Sequence, residues 1–149
     1  MRVYADTSWW IACKITSDVN HELAIRVFDL WPEIEIVWTP WQRVEVFNSL
    51  RQLERADLIL AGVAHESIRL LEREIRLGYW SHVEFDWRNA IRTACGISAK
   101  HGLDIPIRGM DLFHVAIAIE TEVGAFVTFD REQEALADAA GLHILRPRR

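Results

Sequence analysis

Five short apolar runs, at residues 2–5, 35–39, 83–85, 125–128 and 142–145, are separated by segments with helical periodicity. Runs this short and this apolar read as strands covered on both faces. The helical stretches between them supply the long crossovers that parallel pairing requires. The chain is therefore restricted to the α/β class, with a central parallel sheet and helices on both sides. Helices are predicted over 7–15, from 17–18 to about 31, from 40 to about 53, over 57–77 with a break near Gly62, and over 86–101, 110–122 and 130–140. Thr39-Pro40 pairs a capping residue with proline at the first helical position, and Asp86 caps the helix that follows it. Pro32, Gly78, Gly102 and Gly141 are stop signals. The 110–122 helix is rich in alanine and isoleucine, which predicts burial on most sides.

A chain of 149 residues is expected to form one domain over 1–149 with a substantial core. The longest uncharged apolar run, 112–119, is eight residues and includes a histidine, far short of the ~20 residues of a membrane helix. Residue 6 is already an acid, so no secretory leader is read and a cytoplasmic location is expected. Cys13 and Cys95 lack metal-like spacing and are expected to be small buried residues in a reducing compartment. The net charge of −5 excludes a surface that attracts nucleic acid everywhere. The 17 basic residues comprise two lysines and therefore fifteen arginines. Arginine's planar fork suits phosphate, although genomic base composition produces the same bias.

Four acids fall at the joints of this pattern. Asp6 ends the first strand, and Glu45 sits in the second turn of the helix after the second. Asp111 opens the buried helix before the fourth strand, and Asp130 follows that strand. In open parallel sheets, ligand chemistry gathers outside the carboxyl ends of the strands. If the first and fourth strands are neighbours, Asp6 and Asp130 lie side by side there, within reach of Glu45 and Asp111. Each has a structural reading as well. Asp6 alone reads equally well as an N-cap, Asp130-x-x-Gln133 fits a capping box, and Asp111 after Gly109 is another possible cap. Glu45, between Val44 and Val46, is harder to explain without a partner. Carboxylates gathered in one cleft repel by about 3 kcal/mol per pair at ~5 Å and an effective dielectric near 20. Protonation or cations must offset this, and an oxygen-only donor set favours Mg²⁺ or Mn²⁺ over zinc. Two such ions ~3.5–4 Å apart can activate water for phosphodiester hydrolysis.

In these motifs the chain resembles the PIN-domain ribonucleases, and especially the VapC-type toxins of toxin–antitoxin pairs. Tyr4-Ala5-Asp6-Thr7-Ser8 is similar to the family's strand-Asp-Thr/Ser opening. Glu45-Val46-Phe47-Asn48-Ser49-Leu50 is similar to its central helix motif. Asp111-Leu112-Phe113-His114-Val115-Ala116 is similar to its Asp-x-x-His-x-Ala helix, and Val127-Thr128-Phe129-Asp130-Arg131 to its Thr-x-Asp turn. The resemblance covers nearly the whole chain. It implies a PIN-like three-layer α/β/α fold with a central parallel sheet of order 3-2-1-4-5. It implies a Mg²⁺-dependent (or Mn²⁺-dependent) endoribonuclease with Asp6, Glu45, Asp111 and Asp130 as metal ligands and catalytic residues, and Thr7 and Thr128 as polar neighbours. It further implies an RNA substrate, a homodimer and a cognate antitoxin that blocks the cleft. Trp9-Trp10 stand where family members more often carry smaller aliphatics.

Other residues leave alternatives open. Asn48, three residues after Glu45, could support it or be a helix-surface amide. His114 reads as a satisfied core histidine more readily than as a general base. Trp9, Trp10, Trp31, Trp38 and Trp41 crowd the first 41 residues. They serve either as core and dimer packing or as a groove for an antitoxin helix. Arg43, Arg51, Arg108, Arg131, Arg146, Arg148 and Arg149 are candidate RNA-phosphate contacts or solvated surface arginines. Two further functional classes compete. An Asp6-nucleophile phosphatase or phosphotransferase wants a second acid at position 8 and a late lysine, whereas position 8 is serine and only Lys14 and Lys100 exist. A PIN-like processing nuclease without an antitoxin keeps the same site.

Overall fold

The computed structural model describes residues 1–148; Arg149, one of the candidate RNA contacts, lies outside the described residues. The chain runs β1 (Arg2–Ala5), α1 (Thr7–Lys14), α2 (His21–Leu30), β2 (Glu35–Trp38), α3 (Pro40–Arg55), α4 (Val63–Arg76), β3 (Ser81–His82), α5 (Trp87–His101), α6 (Gly109–Glu120), β4 (Ala125–Val127) and α7 (Arg131–Ala139). All pairings are parallel, in the order β3-β2-β1-β4.

Side-chain alternation along the strands divides the core in two. Val3, Ala5, Ile36, Trp38, Ala125 and Val127 face the layer that includes α1 to α4. Tyr4, Val37 and Phe126 face α5, α6 and α7. Both faces are covered, so every residue of β4 is buried. The predicted three-layer α/β/α architecture is thus present, with four strands where five were expected. Residues 142–145 contribute one isolated bridge, Ile144 to Phe126. Phe126 N–H donates to the His143 carbonyl at 2.8 Å, and Leu145 N–H donates to the Phe126 carbonyl at 2.9 Å. Pairing goes no further because β4 ends at Val127, where the chain turns away, and Pro147 has no N–H to offer.

The remaining differences lie at boundaries. Ser17 and Asp18 form a turn, with the Asp18 carboxylate accepting from Asn20 N–H at 2.8 Å, and α2 starts at His21. Residues 83–85 follow β3 as a loop whose Val83 and Phe85 pack on the α5–α7 side. Residues 57–61, expected to be helical, form a turn-rich connection instead, and α4 starts only after Gly62, whose φ of 87° belongs to the left-handed region that glycine enters without strain. Thr39 caps α3 in a reciprocal box with Gln42, whose Nε2 also donates to the Ala5 carbonyl at 2.5 Å. That bond ties the start of α3 to the end of β1.

Trp9, Trp10 and Trp38 are completely buried, which removes the groove reading for these three. Trp10 packs edge-on against Trp38 at 4.9 Å and Trp80 at 5.0 Å, while Trp9 meets Trp10 at 5.2 Å. Their indole N–H groups have no protein acceptor among the described residues, so the rings serve for apolar area despite an unmade bond costing about 1–3 kcal/mol each. Cys13 is buried as expected, but Cys95 is exposed because the inward positions of α5 are Ala90, Ala94 and Ile97. Among the described residues, no helix is long and apolar enough to cross a membrane. Trp10→Ala should lower unfolding stability by about 3–5 kcal/mol, read from urea denaturation, because it empties the centre of this aromatic cluster.

Candidate active site

Asp6 is the first residue beyond β1, and its N–H donates to the Val127 carbonyl at the end of β4, 3.2 Å away. The two strand ends therefore sit side by side at the point where the sheet order departs to either hand of β1. This is the crevice that open α/β sheets leave for ligands. A cavity of about 340 Å³ opens there, and its wall includes Asp6, Glu45, Asp111 and Asp130. Four elements far apart in sequence thus bring the acids to one place: the ends of β1 and β4, the second turn of α3, and the first turn of α6.

Asp6 is 3% exposed and serves two purposes. Its Oδ1 accepts from Trp9 N–H at 3.1 Å, capping α1. Its carboxylate also accepts from Ser8 Oγ at 2.7 Å and from Thr128 Oγ1 at 2.8 Å. Burial pushes its pKa up, opposed by His114 and by these donors. Thr128 Oγ1 in turn accepts from Asp130 N–H, and Ser8 Oγ from Phe129 N–H, both at 2.9 Å. Hydroxyls on both sides of the β1–β4 seam so fix Asp6 to the turn that carries Asp130.

Glu45 Oε2 lies 3.0 Å from His114 Nε2 and accepts from Thr7 Oγ1 at 3.2 Å. The His114 hydrogen bond holds the Glu45 carboxyl below its ordinary range, against partial burial. Asp111 receives Arg108 Nε at 2.9 Å. Asp130 Oδ1 accepts from Glu132 N–H and Gln133 N–H, both at 2.9 Å, so it caps α7 as well as facing the cavity. The capping box is not reciprocal: the Gln133 amide donates to the Asp111 carbonyl at 3.0 Å, linking α7 to α6.

Asn48 is exposed and does not line the cavity. Ser49 does instead, because at 3.6 residues per turn the side chain four positions after Glu45 lies closer to its azimuth than the one three positions after. Ser8 and Ser49 were not singled out in the sequence; helical spacing from Glu45 would have found Ser49. Among the described arginines considered for RNA, only Arg108 lines the cavity. Arg43 is paired with Glu72, and Arg146 with Glu134. Neither lysine lines the cavity, and Lys14 is engaged by Glu74, so nothing supports the Asp-nucleophile phosphotransferase reading.

No family model matches the sequence, and no curated protein matches it. Solved structures do. VapC20 of Mycobacterium tuberculosis, described as a sarcin-ricin loop cleaving toxin, superposes with a TM-score of 0.68 at 20% identity, over 97% of this chain and 99% of the other. VapBC2 of Rickettsia felis, bound to a DNA fragment from their promoter, gives 0.69 at 12% identity over 97% and 98%. The chain has the VapC fold. VapBC-1 of nontypeable Haemophilus influenzae agrees, with 0.65 at 15% identity over 97% of both chains.

Within this VapC fold the donor chemistry fits a hard divalent cation. The wall's oxygen donors are carboxylates and hydroxyls, beside a buried Asp6 whose ionisation burial opposes; of the other lining groups, the His114 Nε2 is taken up by Glu45 and Arg108 carries no acceptor atom. Among the described residues, however, no three His, Cys, Asp or Glu side chains stand grouped as a metal cluster. Each of the other three acids is turned to a partner: Glu45 to His114, Asp111 to Arg108, and Asp130 to the α7 backbone. Mn²⁺ should therefore raise the melting temperature of the wild type and leave Asp6→Asn unmoved, as read by differential scanning fluorimetry with Ca²⁺-free buffer and an EDTA control.

Proposed function

We propose that this protein is a divalent-metal-dependent endoribonuclease of the VapC type, the toxin of a toxin–antitoxin pair. The reading is carried by one observation: four carboxylates from four separate elements line a single cavity at the β1–β4 crevice of a VapC fold. Asp6, Glu45, Asp111 and Asp130 would hold Mg²⁺ or Mn²⁺. A bound ion of this kind supplies Lewis acidity and a water of lowered pKa for phosphodiester hydrolysis.

The chain's own residues supply the rest. Ser8 and Thr128 hold the Asp6 carboxylate in place, and Thr7 and His114 hold Glu45. Arg108, largely exposed at the rim beside Asp111, is placed to meet an RNA phosphate. A contact of that kind positions the strand without reading its bases, so base selection falls to other surfaces. Cleavage of structured RNA in Mg²⁺ or Mn²⁺ should fall by at least about a hundredfold in Asp6→Asn and vanish in excess EDTA. Cleavage that survives either treatment rejects the mechanism.

Two surfaces suit the partners of this reading. A groove of about 610 Å³ shares Thr7, Ser8 and Asp130 with the acid cavity and continues over Ile11, Leu53, Leu58 and Phe129. An apolar antitoxin segment lying there would cover the entrance. A second groove of about 550 Å³ runs between α5 and α6, with Trp87, Ile91 and Met110 exposed. A second copy of the chain would bury these side chains. Ile91→Glu should shift the protein from dimer to monomer in light scattering while leaving its circular dichroism unchanged.

A further inference from the structure

The hydrogen bonds of His114 reach further than those of a core residue need to. Its ring is 1% exposed, one turn along α6 from Asp111, and both nitrogens are engaged. Nδ1 lies 2.8 Å from Tyr4 Oη on β1. Nε2 lies 3.0 Å from Glu45 Oε2 on α3 and 3.2 Å from Thr7 Oγ1 on α1. One imidazole therefore joins the four elements β1, α1, α3 and α6 directly behind the acid cavity.

The proton inventory assigns the donors. Ionised Glu45 can only accept, so Nε2 must carry a hydrogen to sit 3.0 Å from it. The Tyr4 phenol, protonated at neutral pH, then donates to a bare Nδ1 and selects that tautomer. The ring cannot swing away. Tyr4 meets it edge-on at 5.7 Å and is itself stacked on Phe126 at 5.6 Å, while Trp41 closes another side at 6.2 Å. Without His114, Glu45 would keep only the longer bond from Thr7.

We infer that His114 is a positioning residue that holds Glu45 for cation binding through Nε2–H, and that Tyr4 sets its tautomer. The inference rests on the metallonuclease reading. Histidines that orient carboxylates from behind a metal site change metal affinity without touching the ion. The aromatic packing, in contrast, is insensitive to which nitrogen bears the proton.

The test is Mn²⁺ affinity, by calorimetry or by electron paramagnetic resonance of the free ion, on variants whose fold is checked by urea denaturation. His114→Phe keeps the ring and removes the donor; it should weaken Mn²⁺ binding about tenfold or more. His114→Gln returns an N–H near the same place and should recover most of that loss. Tyr4→Phe, which removes one oxygen at constant shape, should weaken binding by a smaller factor, and it carries the test if His114→Phe does not fold. In a Glu45→Gln background, His114→Phe should add no further loss, since it acts through Glu45. Unchanged Mn²⁺ affinity in folded His114→Phe, or in folded Tyr4→Phe, overturns the positioning role alone. Wild-type protein that binds no Mn²⁺ overturns the nuclease reading and this inference with it.

Discussion

The 3.2 Å hydrogen bond from Asp6 N–H to the Val127 carbonyl closes the last rung between β1 and β4, and it sets the spacing of everything beyond both strands. From that rung outward, hydroxyl and backbone hydrogen bonds join the two strand ends. Ser8 and Thr128 both donate to the Asp6 carboxylate, and each accepts an N–H from the turn after β4. The Gln42 amide donates to the Ala5 carbonyl from the start of α3, so the helix that carries Glu45 is tied to the same strand. A shift of β1 against β4 by one residue would turn the side chains of β1 to the other face of the sheet and pull Asp6 out of reach of these donors.

The same arrangement explains how four acids share a cavity of this size. Only Asp6 is withdrawn from water, and its carboxylate is met by three donors. The others occupy the wall facing solvent or a helix end, each with its own donor. Asp130 uses the first-turn N–H groups of α7, a favourable place for a negative charge. The acids are thus prepared one by one, and a cation would draw on carboxylates already anchored at their bases.

Several elements were legible because their signals are local. Thr39-Pro40 announced α3, Gly62 announced the break before α4, and Asp86 announced α5. The residue-by-residue pattern of apolar strands gave the parallel sheet, since a strand covered on both faces has no polar alternation to show. Of the two readings the sequence left open for Asn48, the structure shows the exposed helix-surface amide, since the fourth residue after Glu45, not the third, turns to the cavity. The tryptophans illustrate the same limit. Their number suggests a binding surface or a core with equal force, and only coordinates show Trp9, Trp10 and Trp38 sealed inside. Residues 142–145 have strand composition yet form a single bridge, because the partner strand had already turned toward the site.

By itself the sequence determined the class of fold, most helix boundaries and the identity of the four acids, since these depend on periodicity, caps and the order of short motifs. Tertiary structure alone decided that Ser8 lines the site, that Arg108 is the arginine at its rim, and that His114 bridges Tyr4 to Glu45. The reason is physical. A cap or an apolar stripe is a relation between residues a few positions apart, which the chain displays as it is read. A hydrogen bond across 69 or 110 positions depends on how two helices settle against a strand, and no local preference records that distance.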